Sequence, residues 1–152
     1  MKHILTIQDL SCVGRCSLTV ALPVLSAMGH QCSVLPTAVL STHTAFQKPE
    51  VEDLTGRLLD FAWHWQENGI TFDTVTVGYL SDPRQAAIVE QIIKNIGAPT
   101  VLDPVMGDHG RLYSRITPEH IDAMKHLAAR ADVILPNLTE AAFLTGIPYR
   151  EN

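Results

Sequence analysis

Two carboxylates stand where a strand-like run gives way to a turn. They are Asp103, in Asp103-Pro-Val-Met-Gly-Asp108, and Glu140, in Pro136-Asn-Leu-Thr-Glu140. A carboxylate so placed can hold Mg²⁺ directly or through water, since that ion takes few carboxylates and completes its shell with water and phosphate oxygens. The Met-Gly-Asp-His-Gly110 segment after Asp103 reads as a flexible turn whose backbone amides could face an anion. Each carboxylate also has a purely structural reading. Asp before Pro commonly caps a turn. Asn137 with Glu140 three residues on has the form of a capping box, with Asn where Ser or Thr is usual.

A second polar group precedes these. Asp9-Leu-Ser-Cys-Val-Gly14 follows a strand-like run, and its Asp9 and Ser11 could hydrogen-bond a small polar ring, with Gly14 allowing close approach. Ser41-Thr-His-Thr44 is a further polar cluster, in which His43 reads either as a base or as a solvated loop histidine. Cys12 and Cys16 lack a matching Cys or His pair for zinc, and with Cys32 they make an odd set that argues against a disulfide framework. No P-loop, no Gly-x-Gly-x-x-Gly fingerprint and no Gly-x-Ser-x-Gly elbow is present.

The elements that must position these residues follow from periodicity. Short apolar runs at His3–Gln8, Gln31–Pro36, Thr74–Gly78, Thr100–Asp103 and Asp132–Leu135 predict five strands. Between them, Ser17–Met28, a segment from Pro49 to Gly69, Pro83–Ile96, a segment opened by Thr117-Pro and Leu138–Thr145 predict helices. Pro23 conflicts with the first helix and implies a kink or a later start. In the second, Val51, Leu54, Leu58, Phe61 and Trp65 recur at helical spacing, and the alternation of Trp63 and Trp65 lets at most one face the core. In the fourth, Ile121, Met124 and Leu127 are expected inward. Strands alternating with helices mean right-handed crossovers and a mainly parallel sheet with helices on both faces. In such sheets ligands collect at the carboxyl ends of the strands, where the polar segments above fall.

Composition sets the outer limits. The 152 residues, 46% hydrophobic and 18% charged, read as one globular domain with a real core. A formal charge of −5 argues against nucleic-acid or anionic-membrane partners. No apolar run reaches the roughly 18 residues of a membrane span, and no cleavable signal pattern opens the chain. A cytoplasmic protein is the expectation.

Taken in order, Ile4–Gln8 with Gly14, Leu40-Ser-Thr-His-Thr44, Gly78-Tyr-Leu80, Asp103-Pro-Val-Met-Gly107 and Pro136-Asn-Leu-Thr-Glu140 resemble the pyridoxal kinase group of the ribokinase-like superfamily. The pairing of Asp-Pro-Val-Met-Gly with Pro-Asn-x-x-Glu is shared with hydroxymethylpyrimidine kinases. The resemblance implies ATP-dependent phosphorylation of the hydroxymethyl arm of pyridoxal, pyridoxine or pyridoxamine. It implies that Asp103 and Glu140 serve Mg²⁺ and the nucleotide phosphates, with Asn137 in the same motif, and that Thr44 lies at the substrate ring. Asp9 takes the position where many members have a substrate-binding Ser, with Ser11 two residues on. The family's base, an aspartate in Gly-x-Gly-Asp, has no counterpart here, and its members are nearly twice this long. The chain is therefore expected to be the N-terminal portion of one kinase domain, spanning 1–152 and inactive alone, and the resemblance implies a homodimer for the full-length protein. A non-catalytic module that binds a B6 vitamer, or a fragment of a hydroxymethylpyrimidine kinase, is the alternative. A sheet cut short should expose an apolar edge.

Overall fold

The computed structural model describes residues 1–150. Six strands form one sheet in the order β3-β2-β1-β4-β5-β8, from β1 (His3–Ser11), β2 (Gln31–Leu40), β3 (Val51–Asp53), β4 (Thr74–Val77), β5 (Thr100–Leu102) and β8 (Val133–Ile134). All neighbours are parallel except β2 and β3. The helices are α1 (Leu18–Ala27), α2 (Leu58–Glu67), α3 (Gln85–Ile96), α4 (Pro118–Ala128) and α5 (Leu138–Thr145). The chain leaves β1 in one direction toward β2 and returns in the other toward β4. The crevice between the carboxyl ends of β1 and β4 is therefore a topological switch point.

Alternation along the strands divides the two faces. Leu5, Ile7, Val75, Val77 and Leu102 are buried against α2, α3 and α4, which contribute Leu58, Val89, Ile92, Met124 and Leu127 to the same core. Ile121 packs against that core only partly buried. The other face carries α1 against β1 and β2. Beside α1 that face lies open, as a groove lined by Val20, Val24, Thr76, Val101 and Leu135. At the sheet margin Val133, Ile134 and Leu135 are 47%, 43% and 59% exposed, so an apolar edge is present.

Three elements depart from the sequence reading. Val51–Asp53 is a strand, not the first turn of a helix. It pairs antiparallel with Ala38–Leu40 and covers the otherwise free edge of β2. The helix begins only at Leu58, after a 3-10 turn at Thr55–Arg57, so its inward face is Leu58, Ala62 and Trp65, and Phe61 turns outward at 42% exposure. Trp63 is outward too, while Trp65 packs edge-on to Phe72 at 5.7 Å between centroids. Pro23 lies inside α1 without delaying its start. The segment after Asp103 is not a flexible turn but a hairpin, β6 (Gly107–Asp108) and β7 (Arg111–Leu112), reversed at His109 and Gly110. Both reversing residues have positive φ, 48° and 75°, the backbone that a two-residue hairpin with right-handed strands requires. No helix among the described residues is long and apolar enough to cross a membrane.

Candidate active site

Every polar segment singled out in the sequence meets at the carboxyl edge of the sheet. Asp9 and Ser11 are two apart on β1, hence on one side of it, and both are buried, at 3% and 1% exposure. The ladder between β1 and β2 shifts register between Gln8 and Leu10, and Ser11 Oγ donates to Asp9 Oδ2 at 2.8 Å. The loops after β1 and β2 are zipped together: Cys12 N donates to Leu40 O at 2.8 Å and His43 N to Val13 O at 3.2 Å. Gly14 lies under the His43 imidazole with φ +132°, and a Cβ there would collide with the ring. Close approach is what this glycine supplies.

These loops enclose a cavity of about 270 Å³, lined by Asp9, Ser11, Cys16, Thr44, Tyr79 and Tyr113 among others. Tyr79 was not picked out from the sequence as a site residue, although its Gly78-Tyr-Leu80 segment lies at a strand end. Its ring is core, 5% exposed, and its hydroxyl has no hydrogen-bond partner among the described residues. Burial pushes that phenol above its ordinary value. The loop that carries Tyr79 is fixed from behind. Thr37 Oγ1 donates to Tyr79 O at 2.9 Å, and the fully buried Gln85 accepts from Ser81 N and donates to Thr37 O, each at 2.9 Å.

The second half of the site is built on the first turn of α5. Asn137 caps the helix, its Oδ1 accepting from Glu140 N, while Glu140 Oε2 accepts from Asn137 N, both at 2.9 Å. The capping box is thus present, yet its carboxylate does more than cap. Glu140 Oε1 accepts from Met106 N at 3.1 Å, Asn137 Nδ2 donates to Gly107 O at 2.9 Å, and Thr139 Oγ1 accepts from Gly110 N at 2.9 Å. The cap of α5 and two side chains of its first turn therefore hold the Asp103–Gly110 segment in place. Glu140 is 3% exposed, and burial raises its carboxyl above the ordinary range, against the backbone amides that lower it and with the charge of Asp103 adding to the rise. Asp103 emerges at the end of β5, its N donating to Val77 O at 2.8 Å. Its carboxyl is also raised, by the protein around the part of it that does not meet solvent. The two halves share walls, since Val105 and Tyr113, which flank the hairpin, also line the ring cavity.

A family model for phosphomethylpyrimidine kinase matches residues 6–152. The chain belongs to that family. Its fold is the ribokinase-like one of these kinases. The chain is 29% identical to a pyridoxal kinase of Dictyostelium discoideum over 98% of its own length and 52% of the relative's. Among solved structures it superposes on a Bacteroides thetaiotaomicron protein assigned to the phosphomethylpyrimidine kinases and crystallised with pyridoxal. That match has a TM-score of 0.96 and 44% identity, and it covers 99% of this chain and 54% of the other. A pyridoxal kinase of Leishmania donovani in complex with ADP and pyridoxamine superposes at TM-score 0.92 and 26% identity, over 99% and 55% of the two chains. The chain spans about half the length of the curated relatives it matches.

For a phosphomethylpyrimidine kinase family member the donor set at the second half is informative. Among the described residues no three His, Cys, Asp or Glu side chains converge to cage a metal. Asp103 and Glu140 are close enough for one charge to act on the other. Both oxygens of Glu140 already accept a backbone N–H, so it suits an outer position against metal-bound water, whereas among the described residues no hydrogen-bonded partner occupies the Asp103 carboxylate. Few carboxylates with room for water and phosphate is the set that Mg²⁺ prefers. A separate apolar cleft lined by Leu59, Trp63, Trp65, Ile70 and Phe72 lies at the C-terminal end of α2, away from these residues.

Proposed function

We propose that this chain carries the vitamin pocket and the first half of the phosphate site of an enzyme that transfers the γ-phosphoryl group of ATP to the hydroxymethyl arm of a B6 vitamer. The single observation behind this reading is the shared wall. A cavity sized for one small ring, with Asp9, Ser11, Thr44 and Tyr79 around it, abuts the segment that starts at Asp103 and is clamped by Asn137 and Glu140. A ring held there keeps its arm beside the place where the nucleotide phosphates would lie. The pyridoxal and the ADP with pyridoxamine found in two structural relatives support that choice of ligands.

In this reading Ser11 and Asp9 hold polar atoms of the vitamer and Thr44 closes on the ring. Asp103 and Glu140 would hold Mg²⁺, which would supply positive charge to the nucleotide phosphates. Asn137 belongs to the same nucleotide side of the site and positions the hairpin there. Phosphoryl transfer depends almost wholly on placement and charge stabilisation, with a base to take the hydroxyl proton. The chain holds no Gly-x-Gly-Asp to supply that base, so by itself it binds without turning over.

The family model is named for pyrimidine phosphorylation, which makes hydroxymethylpyrimidine the second substrate to try. The test is a fluorescence titration of the chain with pyridoxal, alongside an assay for phosphorylated product with ATP and Mg²⁺. Saturable pyridoxal binding with no product is expected. Turnover would contradict the division of labour, and binding of hydroxymethylpyrimidine but of no B6 vitamer would contradict the choice of ring.

A further inference from the structure

We infer that Asp9 makes the ring pocket selective for the B6 vitamer with a cationic arm, pyridoxamine, over the aldehyde and alcohol forms; this rests on the B6 reading above. A carboxylate, more than a hydroxyl, answers to the charge of what it binds. Here the position holds a carboxylate at 3% exposure, in the wall of the cavity.

That carboxylate is poorly compensated. Ser11 Oγ gives its only side-chain hydrogen bond among the described residues, at 2.8 Å. None of the ion pairs among the described residues involves Asp9. Arg115, whose charge is felt at the Tyr79 hydroxyl, forms none with it either. Among the described residues Asp9 is also the only carboxylate lining the cavity, where the other titratable groups are Cys16, His43, Tyr79 and Tyr113. A buried carboxylate with one neutral donor has room for a partner of opposite sign, since a charge taken out of water needs a counter-charge or further hydrogen bonds. The Tyr79 hydroxyl in the same cavity, beside the Arg115 charge, is a second buried polar group with no hydrogen bond among the described residues, and so is open to a ligand.

The vitamers share one ring and one hydroxymethyl arm and differ only in the neighbouring substituent. Pyridoxine and pyridoxal bring an alcohol or an aldehyde, and any proton on the ring nitrogen is common to all three. Pyridoxamine alone adds an ammonium group, and so brings a net positive charge into a pocket whose one carboxylate lacks a counter-ion. An ammonium–carboxylate hydrogen bond is charge-assisted and correspondingly strong.

Fluorescence titration of the 152-residue chain with the three vitamers, for wild type, Asp9→Asn and Asp9→Ser, reads this directly. Wild type is expected to bind pyridoxamine about tenfold or more tightly than pyridoxine, the range of a hydrogen bond to a charged group. Both variants should narrow that gap, weakening pyridoxamine by more than they weaken pyridoxine. Equal affinities in the wild type would overturn the inference with no variant needed, and would leave the B6 reading intact. So would equal weakening of all three vitamers, which would put Asp9 on the shared ring. Binding of no vitamer would overturn both.

Discussion

Asp103 and Glu140 are carboxyls set in surroundings that oppose their ionisation, for different reasons. Glu140 is buried but receives two backbone amides, whereas Asp103 has partial burial and no donor to offset it. The folded value of Asp103 lies above its unfolded one, 3.8. Its contribution to stability is therefore present in full below 3.8 and is lost as pH rises through the folded value. A residue kept at a cost in stability fits a group that meets a cation. Asp103→Asn removes the charge, so the variant should melt higher than wild type at neutral pH, with the two converging as pH falls toward 3.8. The same variant should weaken Mg²⁺–ATP binding. Thermal melts across that pH range check the first half and calorimetry the second. A variant that melts lower at neutral pH would make Asp103 a structural cap.

At the scale of elements, α5 and the hairpin form one unit. Asn137 serves both, capping the helix with Oδ1 and holding Gly107 O with Nδ2. Asn137→Ala removes both bonds and should cost about 2 kcal/mol in urea unfolding, one N-cap and one hydrogen bond. Asn137→Ser keeps the cap and should recover roughly half. A loss under about 0.5 kcal/mol would mean that the clamp is redundant. This unit was partly legible in the sequence. The Asn137–Glu140 spacing showed the capping box, because capping is local chemistry. The hairpin was not legible, since His-Gly is a weak turn signal beside Asn-Gly. Nor was β3, because Val51 and Leu54 fit a helical period, and only pairing with distant Ala38–Leu40 decides the contest. Tyr79 was missed for a related reason. One Tyr after a strand reads as core, and it is core except for its hydroxyl.

For the molecule as a whole, the order of strands places the pocket. The alternating pattern was enough to put the polar loops on one edge, and the switch between β1 and β4 brings Asp9 and Tyr79 together there. The same architecture leaves β8 as an edge with Val133, Ile134 and Leu135 in solvent, beside an open groove along α1. Such an edge is a template for pairing with another chain. The chain should therefore associate as its concentration rises, and Ile134→Lys should reduce that association. Light scattering across a dilution series checks this. A wild-type mass of 16.7 kDa at every concentration would contradict it.

The central claim is that a vitamer enters the cavity between β1 and β4 and meets the segment that begins at Asp103. Backbone amide shifts in a ¹⁵N-labelled chain titrated with pyridoxal test it most directly, with Ile134→Lys as the background if wild type self-associates. Saturable shifts at Asp9, Ser11, Thr44 and Tyr79, spreading to Val105, are the predicted result. Shifts confined to the apolar cleft at Trp63, Trp65 and Phe72, or no saturable shifts, would contradict it.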